Sequence, residues 1–414
     1  MQKVTNRGIH LSQFKEPAIS APIKSISNVN CVYLPVSDDI CVSVSQNIKK
    51  GDLVSNEILP EHIASFASIN GKAVAVRKFN CEKFKDKMFL KVETDGTNQN
   101  ENIDRFNGRE VTDSDLYFAV NCCGIINLTD KKTLKSIYES YPDGVKNVVI
   151  DAVDDEPYVS SKISQLLFRK NQVESAVDAV QRLFRAQNVE IAVYGKNGDV
   201  SIKLPSKIGK YPVTAYNKTY PVSRAMKSDE DTVYICLSAA MSLYYAAADK
   251  KAWTSTIVTV AGDAVLEPCN IEVPIGTSIG DILSFCGVKK NVGTVVLGGC
   301  MTGYSVDILD IPVLKSTKAI LAFESELKYT SDECIGCGRC VDVCPENLLP
   351  YYIYRYYLED NKERLYKLSA DKCIECGCCS YICPAKIDLR QYIRNSRRAL
   401  LKEMRQNEED TKAN

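Results

Sequence analysis

A chain of 414 residues is too long for one ordinary domain and predicts about three or four. Lys and Arg number 52, as do Asp and Glu, and only 2 histidines are present, which disfavours both a broad nucleic-acid surface and histidine-rich metal chemistry. At 45% hydrophobic residues a sizeable core is available, but no apolar run of about 18 residues occurs to span a bilayer, so any membrane association is expected to be peripheral, through a complex.

The opening, MQKVTNRGIHLSQF, lacks the apolar core of a signal peptide, and with 18 cysteines this predicts a cytoplasmic chain whose thiols hold metal rather than form disulfides. From Ile9 to about Val92, short alternating apolar runs such as CVYLPVS and MFLKVETDG are separated by turn signals, which predicts compact antiparallel β structure. KKGD (Lys49–Asp52) and INGK (Ile69–Lys72) fit turns of a β-sandwich resembling the barrel-sandwich hybrid of biotinyl-lipoyl carriers, with Lys72 a turn residue rather than a modified lysine. This first domain is taken as 1–110.

An α/β domain is expected over 111–235. NCCGIINLTDKKTL (Asn121–Leu134) sets two cysteines ahead of a glycine and a helix start. A dithiol at Cys122 and Cys123 would need a strained eight-membered ring and lacks C-x-x-C geometry, so structural cysteines are the stronger reading. The strand VKNVVIDAV (Val145–Val153), an amphipathic helix over Lys162–Gln187 and the strand VEIAVYG (Val189–Gly195) predict a parallel sheet. DAVDDEPY (Asp151–Tyr158) then falls at a strand C-terminal end, where its acids either line a site or form a solvated turn.

Over 236–322, TSTIVTVAGDAVLEPCNIEVPIGTSIGDILSFCGV and VGTVVLGGCMTG predict a β-grasp module in which nothing is obviously catalytic; Cys300, without a basic neighbour, is a poor nucleophile. Over 323–414 nine cysteines crowd between Cys334 and Cys383. CIGCGRCVDVCP and CIECGCCSYICP each read C-x2-C-x2-C-x3-C-P, in which three close thiolates take three corners of a four-iron, four-sulfur cube and the fourth cysteine ligates the other cluster. The expected sets are Cys334, Cys337, Cys340 and Cys383 on one cluster, and Cys373, Cys376, Cys379 and Cys344 on the second, leaving Cys378 without a ligand role. Zinc ribbons use paired C-x2-C knuckles instead. The tyrosine-rich stretch from Leu348 to Ala370 reads as helical with tyrosines in the packing, and from Asn395 onward a charged helix is expected.

RGIHLSQFKE (Arg7–Glu16), the sandwich motifs, the β-grasp motifs and both cysteine runs, in this order, resemble the C subunit of the Rnf electron transport complex and its soluble relatives in cobalamin reduction and proline reductase systems. The resemblance covers most of the chain. It implies a multidomain α/β and α+β fold: an N-terminal β-sandwich, an α/β domain like the flavoprotein subunit of complex I, an SLBB-like β-grasp domain and a helical dicluster ferredoxin domain. It also implies FMN and NADH at a glycine-rich loop of the form GxGGAGFPTxxK. Here the chain after Gly124 reads GIINLTDKKTLKSIYES, with no glycine before Gly144; Lys131 or Lys132 stands for the family lysine. Glu156, Pro157 and Tyr158 match the family's Glu-Pro-Tyr, making Glu156 the candidate cofactor contact. Backbone amides approach phosphate only where side chains do not intervene. The α/β domain is therefore expected to be retained as a scaffold without family-style FMN or NADH binding.

The function expected is a relay through two 4Fe-4S clusters, from NADH, a flavoprotein or ferredoxin to a partner reductase, with proline reductase the preferred acceptor by analogy. The alternatives are a membrane-docked C subunit of an Rnf complex with NADH/FMN oxidoreductase activity, and a dithiol oxidoreductase using Cys122 and Cys123.

Overall fold

The computed structural model describes residues 7–26, 28–56, 64–79, 84, 87–97, 110–195, 204–216, 219–222, 226–326 and 330–413. The first six residues, Cys81 and the approach to the boundary at 110 lie outside them.

Strands Cys31–Val36, Met88–Thr94, Gly71–Lys78 and Asn47–Ile48 form one antiparallel sheet in that order, with Leu53–Ser55 and Ser65–Phe66 as a separate ladder. Alternation along these strands sends Val32, Leu34, Ala73, Leu90 and Val92 inward. They do not close a core of their own. They merge with Val258, Val260, Ile271 and Val273 of the β-grasp sheet in one hydrophobic cluster, and the Tyr33 amide donates to Gly276 O at 2.8 Å across the junction.

The β-grasp sheet has six strands in the order Lys24–Ser25, Cys269–Pro274, Ser255–Ala261, Ala319–Phe323, Thr294–Leu297 and Tyr304–Val306. Its edge strand comes from residues 24 and 25, which pair in parallel with Ile271 and Glu272. Keeping all of 1–110 in the first domain is corrected on this point: the sandwich starts only after that strand.

In the α/β domain, Asn147–Asp151 is flanked by Asn188–Tyr194 and Thr232–Cys236, all parallel, and Tyr211–Tyr216 extends the sheet beside Asn188–Tyr194. The segment expected as one helix over 162–187 is two, Ser161–Phe168 and Lys170–Leu183, broken at Arg169 (φ −129°, ψ 40°). The reason lies outside the segment: Arg169 Nη2 reaches Glu272 in the β-grasp sheet at 2.6 Å, and both side chains are buried. A boundary at 236 is corrected as well. The Leu237–Asp249 helix follows Thr232–Cys236 directly, and its Ala239, Ala240, Leu243, Ala246 and Ala247 pack in the α/β core with Val173, Val177 and Val180.

Residues 7–19 cross the remaining modules. Ile9 pairs with Tyr220, the Arg7 guanidinium donates to Val341 O, Gln13 O accepts from the Tyr158 amide at 2.7 Å, and Phe14 stacks on Tyr158. Lys15 is wholly buried and donates to Asp154 O at 2.6 Å and to the Gln13 amide oxygen. Burial lowers its ammonium pKa from the ordinary 10.5 to about 8, against the opposing field of Asp154, Asp155 and Glu156.

Between those values an unfolded chain binds more protons at this site than the native one, so native stability rises with pH. Relative to Lys15→Met, the wild type is expected to gain on the order of 3 kcal/mol between pH 8 and 10.5, read from chemical denaturation of both proteins across that range. Parallel curves would reject this account of Lys15.

Candidate electron-transfer centre

In the ferredoxin module the tyrosine-rich stretch forms two helices, Pro350–Leu358 and Lys362–Lys367, separated by a turn with Asp360 at φ 49°; the Asn361 side chain caps the second. The long C-terminal helix begins at Leu389, before Asn395. Each cysteine run opens in a loop and passes through a helical turn, Arg339–Asp342 or Cys378–Tyr381, before its fourth cysteine, and Gly338 and Gly377 enter those turns in the left-handed region.

One cavity is lined by Cys373, Cys376 and Cys379 of the second run together with Cys344 of the first. Amides already address two of these sulfurs: Glu375 N donates to Cys373 Sγ and Leu348 N to Cys344 Sγ, each at 3.3 Å. Burial, and then the charge of neighbouring cysteines, pushes the Cys373 thiol up to about 12 and Cys379 well above its ordinary value. Ionising thiols so placed requires a compensating cation in the cavity, which is the chemistry iron would supply. Thiols placed around one cavity suit a cube with iron at several corners.

Cys334, Cys337 and Cys340 lie together, with Gly336 N donating to Cys334 Sγ at 3.4 Å; Cys340 is raised first by burial and then by Cys337 and Cys334. Cys383 is half-buried and packs against the same small core as Cys340.

The two runs differ in their surroundings. The second is held against the body of the protein. Tyr220 Oη donates to Cys376 O at 2.6 Å, and Arg390 donates to Met301 O at 2.7 Å and Gly303 O at 2.9 Å. Cys376 and Cys378 sit in an apolar cluster with Ile9, Leu11, Tyr220 and Met301. Gly377 (φ 82°) permits this approach, since a Cβ there would stand 2.6 Å from Met301 O. The first run is open: Cys334 and Cys337 are exposed, and Ile335 is 72% exposed.

A cleft of about 1510 Å³ runs from the α/β domain past the β-grasp loop 314–318 to Cys373, Ile374 and Glu375. Its lysines and arginines outnumber its acids by more than two to one, although the whole chain is neutral. Asp151 and Lys162 meet on its wall at 2.9 Å; Asp151 also accepts from Thr129 Oγ1 at 2.9 Å and the Val153 amide at 3.0 Å. Burial would raise the Asp151 carboxyl, but Lys162 and these donors hold it below the ordinary value.

After Gly124 the chain forms a small hairpin, Ile126–Asn127 with Lys132–Thr133. Asn127 is fully buried: its amide group donates to Tyr234 O and Asp130, and its oxygen accepts from the Cys236 amide at 2.7 Å. Leu128 N is committed to Cys236 Sγ, Lys131 N to Asn127 O and Lys132 N to Asp130. Those amides, which a phosphate-binding loop would leave open, are taken up within the fold.

Glu156 lies in the junction between the α/β domain and the β-grasp turn 299–302. It is 1% exposed, does not line the cleft, and accepts from Met301 N and Thr302 N at 3.1 Å, Thr302 Oγ1 at 2.7 Å and Lys318 Nζ at 3.4 Å. This carboxylate fixes the GGCMTG turn on which the second cysteine run rests. Cys122 and Cys123 diverge at the end of the Asp113–Cys122 helix, one exposed and one buried, and burial pushes the Cys123 thiol up to about 11. A thiol so raised is a weak nucleophile.

Sequence reasoning did not single out Tyr220, Arg390, Asn127 or Lys15. Each works through a partner remote in the chain; the local signals were RGIHLSQFKE, where Lys15 was one letter of a longer motif, and GIINLTDKKTL, which holds Asn127.

Residues 333–387 match the family model for a 4Fe-4S dicluster domain, and 257–302 that for an SLBB domain. The chain is 26% identical over 385 residues to the C subunit of the proton-translocating ferredoxin:NAD(+) oxidoreductase complex of Clostridium ljungdahlii, covering 84% of this chain and 83% of that one. It is 28% identical over 387 residues to the C subunit of the Na(+)-translocating ferredoxin:NAD(+) oxidoreductase complex of Acetobacterium woodii, covering 84% and 86%. Likeness to the C subunit of the ion-translocating oxidoreductase complex of Pseudomonas aeruginosa reaches 30% over 284 residues, 63% of this chain and 37% of that one. Among solved structures, an NAD+-reducing [NiFe]-hydrogenase chain aligns at 10% identity with a TM-score of 0.43, over 71% of this chain and 61% of that chain. No described helix is long and apolar enough to cross a membrane.

Proposed function

This chain belongs to the family of Rnf C subunits and their relatives, and from that premise we propose that it relays single electrons through two 4Fe-4S clusters between redox protein partners. The observation that carries the proposal is Cys344 on the same cavity as Cys373, Cys376 and Cys379, the crossing that a two-cluster unit requires. Cys334, Cys337, Cys340 and Cys383 hold the other cluster. The buried second run, which reaches the cleft, serves the inward side of the relay, and the exposed first run serves an outside protein. A flavoprotein or ferredoxin is the donor class. The acceptor is a reductase, and proline reductase fits a dedicated donor without a nicotinamide site.

The α/β domain acts as scaffold. Its hairpin at Asn127 supports this, because the amides of Leu128, Lys131 and Lys132 are engaged internally. On anaerobic reconstitution with FMN and titration with NADH, the expected result is no stoichiometric flavin and no cluster reduction at catalytic rates, while reduced ferredoxin bleaches the clusters. Stoichiometric flavin, or clusters reduced rapidly by NADH, would select a second reading. In that reading the chain is the NADH-facing member of a membrane-docked complex, which its likeness along most of the Clostridium ljungdahlii and Acetobacterium woodii proteins favours.

A further inference from the structure

Nine cysteines lie outside the two runs, and two of them face one another. Cys269 opens the strand Cys269–Pro274 and Cys286 closes the helix Ile279–Cys286; their sulfurs are 3.5 Å apart, both 1% exposed, in the core shared by the sandwich and the β-grasp sheet. That core is separate from the one around the cluster thiols. Leu266 and Glu267 adjoin the pair: their amides donate to Gly287 O at 3.0 Å and Cys286 O at 3.3 Å, while the Leu266 and Glu267 side chains stand in solvent. Lys24, paired with Glu267 at 2.6 Å, brings a positive charge beside both sulfurs.

We propose that Cys269 and Cys286 are a disulfide-forming site, a reversible thiol-exchange pair distinct from the cluster ligands, whose oxidant is a low-molecular-weight thiol disulfide. The first step is attack by one of the two thiolates on one sulfur of the oxidant, which forms a mixed disulfide and releases one equivalent of the small thiol. The other cysteine then loses its proton, attacks the protein sulfur of that mixed disulfide and releases the second small thiol. Two protein thiols are oxidised and one external disulfide is reduced to two thiols, so electrons and protons balance. Either sulfur can donate in the contact between them, and the Lys24 ammonium stands near both, so either thiolate can open the exchange. The bond would tie the start of a central strand to the end of the helix across it, closing the chain between positions 17 apart.

The sequence supplies a direct readout. Trypsin cuts after Lys251 and Lys289 and nowhere between, so both thiols fall on one peptide, 252–289. The cluster-loaded full-length protein is incubated anaerobically with oxidised glutathione in native buffer, unfolded in iodoacetamide and digested. Peptide 252–289 is expected to lose both alkyl groups, and to regain both when reductant precedes alkylation. In Cys286→Ser and in Cys269→Ser the glutathione adduct is expected to persist on the remaining cysteine, since no second thiol resolves it. A doubly alkylated peptide from the native wild type, with closure only in denaturant, overturns the proposal, as does a stable glutathione adduct on the wild-type peptide in place of the internal bond.

Discussion

Removing Cys344 and Cys373 together should cost no more iron than removing either alone. If the fourth cysteine of the first run serves the second cluster, Cys344→Ser and Cys373→Ser strip the same cube, and the double variant falls from about eight iron atoms per chain to about four. Pairing Cys344→Ser with Cys334→Ser strips both cubes and leaves almost none. Iron and sulfide analysis after anaerobic reconstitution measures the effect, and electron paramagnetic resonance of the reduced variants identifies the surviving cluster. Uncrossed ligation predicts the opposite pattern, with iron spared in the Cys344/Cys334 pair. The cavity shared by Cys344, Cys373, Cys376 and Cys379 makes the crossed outcome the expected one.

The largest stability effect is expected at Glu272. Its side chain is fully buried in the β-grasp sheet and holds the buried Arg169 of the α/β domain at 2.6 Å, with Ser255 Oγ bonding the other carboxylate oxygen. Glu272→Ala removes the carboxylate that neutralises a buried guanidinium and should cost about 3–5 kcal/mol, whereas replacing both partners by apolar residues, Arg169→Met with Glu272→Leu, should recover most of that. Denaturant midpoints followed by circular dichroism and cluster absorbance test this. A loss below about 1 kcal/mol for the single variant would contradict the assignment.

The parts of this molecule that were legible in its sequence are those whose physics is local. Three thiols spaced by two residues supply three corners of a cube from one short stretch, so both cysteine runs could be read directly. The apolar strand at Asn147–Asp151 likewise signals a parallel sheet covered on both faces. What escaped depends on distant partners. Nothing between Lys162 and Gln187 marks Arg169 as a break, because Glu272 lies 103 residues away. The small residues of Leu237–Asp249 suit almost any helix, and only packing assigns that helix to the α/β core. Loss of glycines after Gly124 was visible, but their replacement by a hairpin closed through Asn127 was not, since Tyr234 and Cys236 complete it from another strand. Glu156 matched a cofactor motif in sequence, yet its partners come from Met301, Thr302 and Lys318.

The segment from Arg7 to Lys15 bears on how the polypeptide is made. It leaves the ribosome well before its counterparts: Lys15 waits for Asp154, Ile9 for Tyr220, and Arg7 for Val341, 334 residues downstream. Ile9 and Leu11 then complete their packing against Cys376 and Cys378. The early segment therefore cannot reach its final seat until translation is almost finished.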